Sequence, residues 1–415
     1  MFIDFNPQTF INPANISFQL NRKHNYFQQP KFDVFIKSIN TESKTNINNF
    51  DGIKITKSNF GNLQKINDTA YLYTITNKNG VSVDLSDFGA TITSIKVPDK
   101  NGKLVDITQG YDNVTPYEKS PIGHAGGTIG PVANKIDNGE FSLNGEIYKL
   151  ETNKDNGKTH CHGGSEGFDV KKWRTNILND GIEFIYDKKD MENGYPGNVQ
   201  AKVIYKLDND NNLHINYYAA TDKDTLINMT NHTYFNLDGS ENTQENSIYS
   251  HIVTLPNSSY ITENNEISIP TGKLLKIKNT PFDFSTPHKI GDMINKESEQ
   301  LKIAGGFDHN YTIDNYDGKT LKNIAIVKSP KTGIVLNVST NLPGFQFYSA
   351  NHLGKKAQPA GKSGSRYEKR SALCIEPQFF PNAINTETFK EKGILHKGEV
   401  YERKIIYSFS TENNP

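Results

Sequence analysis

The chain has 415 residues, 46 of them basic and 46 acidic, so its formal charge is zero. Nucleic acid and anionic bilayers need a basic footprint, and no Lys/Arg stripe with interleaved aromatics occurs, so neither is expected as a partner. No apolar run is long enough to span a bilayer, the first residues lack the basic start and apolar core of a signal peptide, and two cysteines, Cys161 and Cys374, are too few for a disulfide framework; the expected compartment is the cytoplasm.

Residues 1–56 are dominated by Asn, Gln and Lys with scattered aromatics and no sustained period, and they are expected to form a loosely ordered extension ahead of a domain at 57–412. From Tyr71 onward the pattern changes to short alternating runs split by Asn-Gly, Lys-Asn-Gly and Asp-Asn turns. "GEFSLNGEIYKL" reads as a hairpin, and "NVQAKVIYKLDNDNNLHINYYAAT" as two strands about an Asp-Asn turn. Helical periodicity is scarce throughout. The predicted architecture is all-β, a large antiparallel β-sandwich.

Several strands carry polar clusters that a simple core-and-surface pattern does not explain. Successive side chains of a strand point to opposite faces. Read as a strand, "LINMTNHTYFNLDG" puts Ile227, Met229, Thr233, Phe235 and Leu237 on one face and Asn228, Thr230, His232, Tyr234 and Asn236 on the other. In "ALCIEPQFFP", Cys374, Glu376 and Gln378 share a face opposite Leu373, Ile375 and Phe379. "KTHCHGG" sets His160 and His162 on one side before a double glycine, and "GGFDHNY" sets Asp308 beside another. A single strand His or Glu is usually a surface or satisfied structural residue, but four such clusters point to a polar cleft. His160, Cys161 and His162 are all zinc ligands in principle; parity turns Cys161 away from the histidines and no CxxC or HxxxH accompanies them, so no metal is expected.

In chain order, "HCHGGSEGFDVKKW", "NGYPG", "NMTNHTYFNLDG", "GFDHNY" and "EPQFFPNAIN" resemble the aldose 1-epimerases, or galactose mutarotases, and the likeness runs from near Lys57 to near Ser410. The resemblance implies one β-sandwich with a sugar cleft on one sheet, and interconversion of the α and β anomers of a free aldose. Glu376 would be the general base at the C1 hydroxyl and His232 the general acid at the ring oxygen. His162 and Asp308 match positions that bond sugar hydroxyls, with Asn134, Lys135, Gln378 and Tyr348 joining them and Gln346 and Asn351 lining the cleft.

Acid and base suffice for that reaction, so no cofactor is expected; the partner is a small-molecule aldose, and the protein a monomer or homodimer. Two alternatives share the fold: a non-catalytic carbohydrate-binding or regulatory protein, and an epimerase for a modified hexose. A phosphorylated sugar would need clustered positive charge, and the chain has only five arginines. One departure stands out. The family pattern GRVANRI reads "GPVANKI" here, so Pro131 and Lys135 replace two arginines, and Lys135 is expected to hold sugar with fewer, less directional bonds.

Overall fold

The computed structural model describes residues 48–119, 122–354 and 358–412; most of the expected extension, 1–47, lies outside that set. The strand Val199–Leu207 alternates buried and partly exposed residues, and Asn212–Thr221 alternates in the matching phase. Their antiparallel register sets Val203 against Tyr217 and Tyr205 against Ile215. A slip of one residue would drive Lys202 and Lys206 into the core and carry those apolar pairs to the outer face, so burial fixes the register.

Three large sheets result. The first is a six-stranded meander in chain order from Asn48–Phe50 to Leu104–Asp106. The second has nine strands, in which the C-terminal strand Val400–Thr411 lies between Asn212–Thr221 and Ile334–Thr340. The third has five, in the order Pro270–Lys276, Tyr260–Asn264, Asp308–Thr312, Gly344–Tyr348 and Cys374–Gln378. One core joins them: Ile55, Ile75 and Val83 from the first, Phe184, Tyr217 and Ile405 from the second, Tyr311, Phe347 and Ile375 from the third. Each such side chain, fully buried, stabilises the fold by about 1.5–3 kcal/mol. The architecture is the all-β sandwich that the alternation predicts, and no helix among the described residues is long and apolar enough to cross a membrane.

Two local expectations need revision. The boundary at 56/57 falls inside the strand Ile53–Leu63, whose Ile53 and Ile55 are buried in the core. The stretch from Thr225 to Leu237 is not one strand. Thr225–Leu226, Thr230–Asn231 and Tyr234–Phe235 pair with three different partners, Ile394–Leu395, Thr128–Ile129 and Thr108–Gln109. Amide side chains substitute for a continuous ladder: Asn228 Oδ1 accepts from the Phe379 N–H at 2.9 Å, Asn231 Nδ2 donates to the Gly126 carbonyl at 2.8 Å, and Asn236 Nδ2 donates to the Ser371 carbonyl at 2.9 Å. The parity reading survives in part, since Ile227, Met229, Phe235 and Leu237 all reach the core.

Candidate active site

The last three strands of the five-stranded sheet build one wall. Register sets Asp308 opposite Tyr348 and Tyr348 opposite Cys374; the next rung of that face sets Asn310 opposite Gln346 and Gln346 opposite Glu376; Gly344 faces Gln378. The intervening residues, Tyr311, Phe345, Phe347 and Ile375, point into the core. The apolar face thus anchors the strands, and the same pleat presents a carboxylate-and-amide array on the other side.

That array is buried and incompletely satisfied. Gln346 Nε2 donates to Asp308 Oδ1 at 2.6 Å. Glu376 Oε2, Gln346 Oε1 and both amide ends of Asn310 and Gln378 are buried with no hydrogen-bond partner. Each buried polar group left so costs about 1–3 kcal/mol. A row of them on one face suits a ligand rich in hydroxyls, which can donate and accept at each oxygen.

His232 meets this wall from the loop between Thr230–Asn231 and Tyr234–Phe235, a loop pinned where its N–H donates to the Gly127 carbonyl and its carbonyl accepts from the Gly126 N–H. Its Nε2 lies 3.6 Å from Glu376 Oε2, its Nδ1 lies 3.6 Å from Cys374 Sγ, and its ring stacks on Tyr234 at 4.9 Å. Tyr348 completes the enclosure, 6.3 Å from the same ring. Burial, with His124 nearby, lowers His232 to about 3, so the ring is neutral at neutral pH. Burial raises Glu376 well above the usual carboxylate range, and the Asp308 carboxylate adds to the effect. Asp308 is itself raised by burial, opposed by the Gln346 bond and the Lys135 charge.

His162 joins them by leaving its strand. It follows Thr159–Cys161 with φ of +55°, and its ring lies 5.4 Å from that of His232. The Asn134 backbone grips it twice: the Asn134 N–H donates to His162 Nδ1 at 3.2 Å, and the Asn134 carbonyl accepts from the His162 N–H at 3.0 Å. His160, expected on the same side, does not accompany it. It is fully buried, with Nδ1 on the Glu151 carbonyl at 2.7 Å and Nε2 on the Tyr195 hydroxyl at 2.8 Å.

The left-handed turn at His162 breaks the strand parity that paired them. Asn351 is also structural, donating to the Ala304 and Phe307 carbonyls. Lys135 turns its ammonium to the Asp155 carboxylate at 2.8 Å and the Ile267 carbonyl at 2.6 Å. Among the described residues, the cluster with metal-ligating atoms close together is His232, Cys374 and Glu376, within 4.8 Å of one another, rather than His160, Cys161 and His162.

Sequence reasoning missed His124 and Asp169. His124 Nδ1 lies 2.7 Å from Asp169 Oδ2, and its ring lies 4.7 Å from His162 and 6.1 Å from His232. The signal was slight: a histidine in a glycine-rich turn, "IGHAGG", and an aspartate that reads as an ordinary turn residue.

A buried carboxyl–imidazole pair beside a row of unpartnered polar groups on a β-sandwich is the arrangement of a protein class with chemistry suited to a hydroxyl-rich ligand. The family model for aldose 1-epimerase matches residues 71–408, and the chain belongs to that family. It is 35% identical to the galactose mutarotase of Bos taurus over 86% of this chain and 99% of the relative, and 33% identical to the aldose 1-epimerase of Escherichia coli over 82% and 95%. Among solved structures it resembles an aldose epimerase homologue from C. elegans, with a TM-score of 0.72, 30% identity and coverage of 81% of this chain and 97% of that one. Galactose 1-epimerase from Lactobacillus acidophilus gives 0.73 at 25% identity, covering 87% and 100%.

Proposed function

We propose that the protein interconverts the α and β anomers of free aldoses, with Glu376 and His232 as the proton-transfer pair. The observation that carries this reading is their placement, side by side and buried, 3.6 Å apart on a face of unpartnered polar groups. The C1 hydroxyl oxygen and the ring oxygen hang on the same carbon, so two groups this close reach both. Glu376 removes the C1 hydroxyl proton while His232 protonates the ring oxygen; the C1–ring oxygen bond breaks and an aldehyde remains. Rotation about the adjacent C–C bond presents the other face. The ring oxygen then attacks, His232 takes its proton back, and Glu376 returns its proton to the former carbonyl oxygen.

The pair needs one proton in total. With the sugar closed, that proton sits on His232 and Glu376 is ionised; with the sugar open, Glu376 holds it and His232 is neutral. The pKa directions favour the second arrangement. Without sugar the proton therefore rests on Glu376, and ring opening proceeds from the less populated arrangement with the proton on His232. Nothing is oxidised, and no water is activated, so the side chains described supply the whole reaction.

In this reading Asp308, fixed by Gln346, and Gln378 accept and donate to sugar hydroxyls, Tyr348 closes the cleft beside His232, and Asn134 orients His162. His162 accepts the Asn134 N–H at Nδ1, which leaves its proton on Nε2 to donate. Lys135 serves as a clamp between Asp155 and the Ile267 loop rather than as a direct sugar ligand. The test is polarimetry or NMR exchange on freshly dissolved α-D-glucose and α-D-galactose. Acceleration above the spontaneous rate is expected. Saturable sugar binding without acceleration would assign the cleft to recognition alone.

A further inference from the structure

We propose that His124, held by Asp169, is a further sugar-contacting residue, and that it works with His162 as a matched acceptor and donor for two neighbouring hydroxyls of the aldose. The inference rests on the anomer-interconversion reading above.

Hydrogen-bond bookkeeping fixes the polarity of each ring. Asp169 is buried, its side chain 3% exposed, and an ionised carboxylate only accepts. The 2.7 Å contact therefore places a proton on His124 Nδ1 and, in the neutral ring, a lone pair on Nε2 at the opposite edge. His162 has the reverse arrangement, because its Nδ1 accepts the Asn134 N–H. The two rings lie 4.7 Å apart and present opposite polarities. A hydroxyl both donates and accepts, so two adjacent hydroxyls satisfy one ring each. His124, its side chain 22% exposed, is the more accessible of the two groups of the His124–Asp169 pair, as a residue that meets a ligand should be.

The local backbone is built around this pair. His124 has φ of +56°, a left-handed conformation that a residue with a Cβ holds at some cost. A Cβ at Gly127 would lie 2.7 Å from the Asp169 Cβ, one at Gly89 would lie 2.3 Å from the Asp169 carbonyl oxygen, and one at Gly167 would lie 2.9 Å from Asp169 Oδ1. Three chain segments thus leave out side chains to admit one aspartate. A merely structural His–Asp link between two turns is the competing explanation, and it predicts no dependence on which hydroxyls the sugar carries.

The experiment compares wild type, His124→Phe, His124→Gln and His162→Phe on D-glucose, D-galactose and analogues each lacking one hydroxyl. Wild type should disfavour the two analogues that lack the paired hydroxyls, each by roughly five- to tenfold in kcat/KM. His124→Phe should erase one of those two penalties while raising KM for the parent sugar by a similar factor, with kcat less affected. His162→Phe should erase the neighbouring one. His124→Gln, whose amide oxygen still accepts, should restore part of the loss and serves if the phenylalanine variant does not fold.

Independently of activity, nitrogen NMR shifts should show Nε2 unprotonated in His124 and protonated in His162. The same tautomer in both rings, or a uniform loss across all analogues, overturns the proposal. A wild-type protein that binds sugars but accelerates no anomer exchange overturns the reaction instead, and leaves the tautomer result to decide the pairing.

Discussion

Replacing Glu376 by Gln keeps the shape of the side chain and removes its titration, which isolates the proton-transfer role. Burial lowers His232 to about 3 and raises Glu376 well above its ordinary 4.5, so the shared proton favours Glu376. In Glu376→Gln that proton has no home beside His232, and no base faces the C1 hydroxyl. The loss of one general base is worth about 10²–10⁴ in rate.

The pH profile should change with it. Wild type should lose rate on the acid side only as His232 takes a second proton near 3, and on the alkaline side as Glu376 loses its proton at its raised value. The variant should lose the alkaline limb. Anomer exchange followed by polarimetry, with the spontaneous rate subtracted and thermal stability measured alongside, reads both quantities. A folded Glu376→Gln protein with kcat within tenfold of wild type, or with the alkaline limb intact, would refute the assignment.

His232→Asn should cost a comparable factor, and the double variant far less than the product of the two, because both act on one step. Cys374→Val removes the sulfur facing His232 Nδ1 and should lower kcat severalfold with KM held, Cys374→Ser restoring most of it; equal kinetics in all three would detach Cys374 from the histidine. Lys135→Ala and Asp155→Ala should each destabilise the protein by about 1.5–3 kcal/mol in denaturant titrations and be strongly non-additive together, whereas a large rise in KM from Lys135→Ala alone would return the ammonium to the sugar.

Stability should also fall with acidification: His232 and His309 are lowered to about 3 and His251 to about 4 by burial, so each is neutral in the fold and takes up a proton on unfolding below about pH 6.5. Each then costs about 1.4 kcal/mol per pH unit until its folded value is reached, opposed by Glu376 and Asp308, whose raised carboxyls take up protons in the fold first; ring-nitrogen NMR that finds any of the three rings protonated at about pH 5 would contradict their burial as neutral rings.

Strand alternation made the sandwich legible, because a period of two survives in Val199–Leu207 and Asn212–Thr221 without knowledge of their neighbours. It also placed Glu376 and Gln378 on one face of Cys374–Gln378, where the pairing register is unbroken. Parity failed where the backbone left the strand: His162 turns at φ of +55°, so His160 and His162 part company. Nor could spacing reveal the Thr225–Leu237 segment as three pieces, since amide side chains supply the missing ladder bonds. His124 and Asp169 lie 45 residues apart, and only the fold brings them to hydrogen-bonding distance. Lys135 aligned with a family arginine, but Asp155 offers its ammonium a nearer partner than the sheet does.

The position of Val400–Thr411 at the middle of the nine-stranded sheet has a consequence for the order of assembly. Without it, the strands from Arg174 to Thr221 and those from Ile252 to Thr340 are two separate four-stranded sheets, and Asn212–Thr221 and Ile334–Thr340 each present an unpaired edge. A nascent chain on the ribosome carries those two open edges until residue 411 emerges, and free edges of this kind recruit other strands. The closing step joins segments nearly two hundred residues apart in the chain, which makes it slow as well as late. Synthesis is therefore the interval in which this protein is most exposed to misassociation, and chaperone dependence should concentrate there rather than in the finished molecule.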